Sequence, residues 1–302
     1  MKRLVVAALL CSVAFHAHAR RVELVAFPSL DRDASGASVI VHAILLLPPG
    51  DPPKGGRSAI VALHGCGGMY SRREGHEHEL SPGFALRANP LLRDRYAVLF
   101  VDSFRSRGLS QICTTRYRER TVKIAERRLD ALGALAYLQR RTDIAANRIA
   151  LVGWSHGGSA TLWTIGRGAP IGNDPFFRAA VAFYPGCAGP LKAGDTFHPA
   201  APTRIYIGEL DDWTPASSCV ALGNEMAARN EDLLVTTYPD SYHAFDSSFG
   251  QVVLRKEVPN GVHPGQGVHT GPNPAARDAA IASMRAFLRE RMAPGSIERS
   301  AR

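Results

Sequence analysis

Short, almost unbroken apolar runs alternate along this chain with longer stretches in which apolar residues return every three or four positions. Ser58 to Leu63, Tyr96 to Val101, Ile149 to Val152 and Ala179 to Phe183 are runs of the first kind, and Thr203 to Ile207 and Leu233 to Thr237 complete the set. A strand covered on both faces reads this way because neither side of it meets water. Between the runs, helices are predicted over Gly83 to Arg93, Glu119 to Arg140, Gly157 to Gly166, Ser217 to Arg229 and Pro274 to Met292. In the second of these Ile124, Leu129, Leu132, Leu135, Ala136 and Leu138 keep helical spacing. Arg127, Arg128, Arg140 and Arg141 are expected mostly on its opposite, solvent side. Two further β-rich segments, Val22 to Phe27 and Ala37 to Leu47, flank the turn-forming residues 31–36 and predict an antiparallel hairpin ahead of the rest. Strands alternating with helices make βαβ units, and so an α/β fold whose sheet is mostly parallel, with about eight strands and helices on both faces.

The two ends read differently. Met1-Lys2-Arg3, an apolar run from Leu4 to Phe15 and then Ala17-His18-Ala19 follow the plan of a secretory signal peptide, with cleavage expected after Ala19. The apolar run is too short to span a bilayer, so no stable membrane anchor is expected. Residues 20–293 are long enough for one large α/β domain, and residues 294–302 read as a disordered tail. A periplasmic or secreted protein is the expectation.

Composition changes this picture little. The formal net charge is +9, of which Lys2 and Arg3 supply two and leave with the signal. The remaining basic residues are scattered and no Lys/Arg run is interleaved with aromatics, so a nucleic-acid partner is not expected. Beyond the signal, four cysteines remain: Cys66, Cys113, Cys187 and Cys219. An even number in an oxidising compartment suggests two disulfides. Cys187 closes one apolar strand and Cys219 lies just past the next, so these two are paired here, leaving Cys66 with Cys113; four free thiols are the alternative. The cysteines lack C-x-x-C spacing, and the run His76-Glu77-His78 reads as a solvated loop rather than a metal site, so no metal is expected.

The chemistry is concentrated where strands end. Ile149 to Val152 runs into Gly153-Trp154-Ser155-His156-Gly157, a G-x-S-x-G turn that opens a helix. Such a turn holds one side chain at the tip of a tight reversal, and only small flanking residues let strand and helix pass so closely. Ser155 is at that tip. A serine hydroxyl is a poor nucleophile at neutral pH and needs a base, and the base needs an acid to orient it. Thr203 to Ile207 ends in Gly208-Glu209-Leu210-Asp211-Asp212-Trp213-Thr214-Pro215, which offers the acid, Asp211 first and Asp212 second. Leu233 to Thr237 leads into a loop carrying His243, the candidate base. His263 and His269 lie in a Gly/Pro-rich stretch with no strand predicted to aim them. The backbone N–H of His156 and one from the His64 to Gly68 loop, assigned to Cys66, are the candidate oxyanion donors. Arg105 or Arg107, after the Tyr96 to Val101 strand, is placed to hold a substrate carboxylate or to pair with Asp102 or another acid. Trp154, Trp213 and Phe245 flank the proposed triad as candidate acyl-pocket residues or as core.

Taken together, G-W-S-H-G-G, G-E-L-D-D-W-T-P, Y-H-A-F and the upstream H-G-C-G-G make the chain resemble an α/β-hydrolase of the dienelactone hydrolase family, from about Val39 to Leu288. The resemblance implies the α/β-hydrolase fold, Ser155 as nucleophile, Asp211 as acid because it stands four before Pro215, and His243 as base. Members of that family usually carry cysteine as nucleophile; serine here moves the expectation toward ordinary carboxylic esters or lactones as small-molecule substrates. Cleavage through an acyl-enzyme requires no cofactor. The rival readings are an exported peptidase on the same fold and a non-catalytic binding protein that has kept it.

Overall fold

The computed structural model describes residues 20–166 and 176–294; the expected signal segment 1–19 and residues 295–302 of the expected tail lie outside them. The hairpin comes first. β1 (Arg21–Arg32) pairs antiparallel with β2 (Ser38–Leu47), with Arg21 opposite Leu47 and Pro28 opposite Ile40. β2 then lies antiparallel to β4 (Ala97–Asp102), and from there the sheet is parallel: β4, β3 (Arg57–Leu63), β5 (Ile144–Trp154), β6 (Ala180–Phe183), β7 (Thr203–Gly208), β8 (Leu233–Tyr238). The eight strands stand in the order β1-β2-β4-β3-β5-β6-β7-β8. Because β3 is central and β4 lies to one side of it while β5 to β8 follow on the other, the chain reverses its direction of travel across the sheet at β3. Ligands of open α/β sheets bind outside the carboxyl ends of the strands at such a reversal.

The strands are apolar throughout because both faces are covered, and successive side chains divide between two cores. Ile60, Ala62, Val98, Phe100, Ala150 and Val152 pack in one cluster with α1 (Pro82–Arg93) and α6 (Pro274–Arg291). Their neighbours Ala59, Val61, Leu63, Leu99, Val101 and Leu151 pack in the other with α2 (Ile124–Gln139) and α3 (His156–Ile165). Both outer helices start where the sequence supplies a cap and a proline: Ser81 accepts from the Phe84 N–H before Pro82, and Asn273 from the Ala276 N–H before Pro274.

Four expectations are corrected here. The second helix begins at Ile124 rather than Glu119, because the Glu126 carboxylate accepts from the Lys123 N–H at 2.7 Å and sets the first turn there; Tyr117–Glu119 is a separate 3-10 turn. Arg127 does not face solvent: it is wholly buried on that helix. Cys187 leads into a short helix not foreseen, α4 (Ala188–Ala193), which packs against α5 (Ala216–Ala228). The Gly/Pro-rich stretch before α6 carries a two-stranded hairpin of β9 (Val253–Arg255) and β10 (Val268–Thr270), so His269 does have a strand to aim it. Its strands are three residues long, too short for an alternation of apolar and polar positions to register.

Both cysteine pairs are joined as the strand ends suggested, Cys187 with Cys219 and Cys66 with Cys113. Among the described residues no helix is long and apolar enough to cross a membrane.

Candidate active site

Three loops meet beyond the carboxyl ends of β5, β7 and β8. The first is the turn at Ser155, whose backbone stands at φ 55° and ψ −120°, a conformation that L side chains adopt only when the surroundings impose it. What imposes it is crowding: a Cβ at Gly153 would collide with the Gly157 carbonyl, and one at Gly157 with the carbonyls of Leu63 and His64. Strand and helix therefore pass at backbone contact, and Ser155 is left half-buried at the tip.

The His243 imidazole closes the gap between the other two loops. Its Nε2 lies 2.8 Å from Ser155 Oγ and its Nδ1 lies 2.8 Å from Asp211 Oδ2. Asp211 is itself fixed by its own turn, Oδ1 accepting the N–H groups of Trp213 and Thr214 at 2.9 and 2.8 Å and Oδ2 accepting the Thr214 hydroxyl at 3.1 Å. With four donors around it, the carboxylate cannot rotate away from His243. The ring is held from its faces as well, by Tyr184 with centroids 4.6 Å apart and Trp213 at 4.7 Å. Asp212 turns the other way and bonds His269, 2.7 Å from Oδ2 to Nδ1.

The loop after β3 supplies the remaining wall. Cys66 donates its N–H to no acceptor among the described residues, while its carbonyl accepts from Ile112 at 2.8 Å and its sulfur is tied to Cys113. A Cβ on Gly65 would sit 3.4 Å from the Ser155 Cβ, so this loop lies directly against the turn. His156 opens α3, and the first N–H groups of a helix have no partner within it. The β3 loop and the first turn of α3 thus both adjoin the Ser155 turn. His64 and His156 are both buried, and burial together with the nearby Arg127 charge holds both imidazoles well below the usual histidine range, hence neutral.

The residues proposed for substrate contact separate. Arg107 reaches Asp31 at 2.7 Å and Asp130 at 2.9 Å, so it belongs to an ion cluster rather than to a binding site, the pairing with another acid that its sequence left open. Trp154 is core: its indole N–H donates to Asp246 at 2.9 Å and its ring stacks on Phe183. Phe245 is wholly buried in the same core. Trp213 stands beside His243. Arg105 lies with its guanidinium 3.5 Å over the Tyr70 ring and donates to the Glu77 carbonyl and to His78, and no carboxylate among the described residues lies within ion-pair distance of it. It lines two adjoining cavities of about 370 and 500 Å³, the first also walled by Gly67 and Gly68 of the β3 loop. Burial pushes the Tyr70 hydroxyl there up to about 12, with Asp102 beside it. His76 bonds Glu79 instead of facing His78, and no group of three or more His, Cys, Asp or Glu among the described residues is arranged to hold a metal ion.

Sequence reasoning missed Thr214, Tyr184, Asp246 and Arg127. Thr214 was legible as the third residue after Asp211, the spacing of a side-chain-capped turn. Asp246, which binds Arg87 through two 2.7 Å bonds and accepts from Tyr184 and Trp154, joins residues scattered over the whole chain and leaves no local trace.

Comparison with known proteins agrees with this architecture. A Klebsiella pneumoniae protein assigned as a dienelactone hydrolase superposes with a TM-score of 0.63 at 16% identity, over 89% of this chain and 98% of that one. P91, a dienelactone hydrolase-like promiscuous phosphotriesterase from metagenomic libraries, gives 0.61 at 20% identity over 90% and 99%. The esterase Est2 of Thermogutta terrifontis gives 0.57 at 15% over 87% and 93%. At these identities the likeness is one of fold. No curated protein matches by sequence. The dienelactone hydrolase family profile, however, matches residues 52–290, and the chain therefore belongs to that family, as a hydrolase acting on ester bonds.

Proposed function

We propose that the chain is an exported serine hydrolase that cleaves a carboxylic ester or lactone through an acyl-enzyme. The observation that carries the reading is His243 standing 2.8 Å from both Ser155 and Asp211. His243 Nε2 takes the proton from Ser155 Oγ as the oxygen bonds the ester carbonyl carbon, while Nδ1 keeps its own proton and donates a hydrogen bond to the Asp211 carboxylate. The negative charge that develops on the carbonyl oxygen rests on the N–H groups of Cys66 and His156. The bond to the alcohol oxygen then breaks, and that oxygen leaves with the proton from His243. Water, deprotonated by the same nitrogen, attacks the acyl carbon; the bond to Ser155 Oγ then breaks, Oγ takes that proton back from His243, and the carboxylic acid leaves. Arg105 supports a preference for esters carrying a carboxylate, since its guanidinium, held by the Glu77 carbonyl and His78, lines the cavity beside the β3 loop and pairs with no carboxylate among the described residues. Export is supported by the signal-like residues 1–19 together with two disulfides, which persist in oxidising compartments.

Labelling with a fluorophosphonate probe tests the reading. Wild type is expected to react and Ser155→Ala not to; equal labelling of the two excludes it. Turnover of a p-nitrophenyl ester well above that of an aminoacyl anilide is expected, and the reverse order identifies a peptidase.

A further inference from the structure

Arg127 is wholly buried on α2, and no carboxylate touches it among the described residues. Asp130, one turn further along the same helix, gives its carboxylate to Arg107 and Ser29 instead. A guanidinium taken out of water without a bonded counter-ion costs several kcal/mol, which an apolar side chain of the same volume would avoid. Something at this position requires the fork of donors. One terminal nitrogen donates to His156 Nδ1 at 2.9 Å and the other to the His64 carbonyl at 2.6 Å. The carbon between them stacks 5.2 Å from the Phe104 ring centre, which fixes the plane of the fork.

These two acceptors are not arbitrary. The β3 to β5 ladder ends at Leu63 opposite Gly153, and beyond it the two backbones carry no further paired register. His64 directly follows Leu63, two residues before Cys66, and His156 directly follows Ser155 on the other backbone. We propose, on the serine-hydrolase reading above, that Arg127 is a positioning residue which holds the two backbone segments of the oxyanion hole in register, one through each terminal nitrogen. It also places a positive charge under the site: burial lowers its ionisation to about 9, so it remains charged at neutral pH. Both histidines are neutral and set to receive it. His156 accepts at Nδ1, and His64 donates from Nδ1 to the Gly65 carbonyl at 2.7 Å, which leaves its own carbonyl free for Arg127.

Arg127→Gln and Arg127→Lys test this, each normalised to active sites titrated with a fluorophosphonate. For Arg127→Gln, kcat on a p-nitrophenyl ester is expected to fall about 10- to 100-fold with KM almost unchanged, less than the roughly 10²- to 10³-fold of deleting an oxyanion donor outright. The affinity of an alkylboronic acid, whose adduct with Ser155 places a charged oxygen in the hole, should fall by the same factor. Lysine keeps the charge and one of the two contacts and should recover part of the loss. A folded Arg127→Gln that keeps kcat within about threefold, or that loses activity through KM or through the titratable fraction alone, overturns the inference. If the glutamine variant does not fold, the lysine variant decides on the same criteria, and failure of both to fold assigns Arg127 a structural role only. A wild type that neither labels nor turns over ester fails the serine-hydrolase reading itself, a result separate from any variant.

Discussion

Asp212 is bonded to His269, with 2.7 Å between Oδ2 and Nδ1, while the adjacent Asp211 is bonded to His243. Two neighbouring carboxylates thus serve two different imidazoles, one at the Ser155 turn and one on the β10 hairpin. Asp211→Asn is expected to lower kcat about 10⁴-fold, because an amide in place of the carboxylate presents the wrong partner to Nδ1–H. Asp212→Asn should stay within about tenfold of wild type, since it loosens only the hairpin contact. Steady-state kinetics on one ester compare the two, and similar losses in both would mean that the acid is shared.

Asp246 anchors the loop that carries His243. Burial alone would raise its carboxyl, but the Arg87 guanidinium and the hydrogen bonds from Arg87, Tyr184 and Trp154 outweigh burial and hold it below the usual range. A carboxyl lowered in the folded state stabilises the fold above its unfolded value near about 4, and that contribution is lost as pH falls through the folded value. Asp246→Asn leaves Arg87 without its counter-ion and is expected to cost on the order of 3 to 5 kcal/mol in urea denaturation at neutral pH. Its deficit should shrink as pH falls below about 4, where first the unfolded chain and then, at the lower folded value, the native protein loses the same charge.

His64 and His156 supply a second pH dependence at higher pH. Both are kept neutral in the folded protein, so the unfolded chain binds more protons than the native one below about pH 6.5. Stability therefore falls as pH drops below that value, by up to about 1.4 kcal/mol per pH unit for each histidine. Denaturant midpoints between about pH 5 and pH 7.5 measure the slope. His156→Gln, which still offers Arg127 an acceptor, should remove about half of it; an unchanged slope would place the proton uptake elsewhere.

The two disulfides differ in what they hold. Cys187 and Cys219 are 32 positions apart, a loop worth about 4 kcal/mol on the chain-entropy estimate, and replacing both with alanine should lower stability while leaving kcat nearly unchanged. Cys66 and Cys113, 47 positions apart, close a loop of similar worth, but here one end lies in the β3 loop that packs against the Ser155 turn. Alanine at both is expected to lower kcat as well as stability. Thermal melts paired with kinetics separate the two patterns.

What could be read from the residues alone was local or periodic. The apolar runs announced strands covered on both sides, the G-x-S-x-G turn after Val152 announced Ser155, and the order of strand ends placed an acid near Asp211 and a base at His243. Such readings are open to a sequence because a strand, a turn or a helix imposes its spacing on consecutive residues. The choice between Asp211 and Asp212, the burial of Arg127, the withdrawal of Trp154 into the core and the loss of Arg107 to Asp31 and Asp130 leave no such imprint. Each depends on which distant group offers a partner once the sheet has closed, and a charged or aromatic side chain is equally at home on a surface, in an ion pair or against a substrate until folding supplies that neighbour. Periodicity belonged to the chain; partnership was decided by the packing.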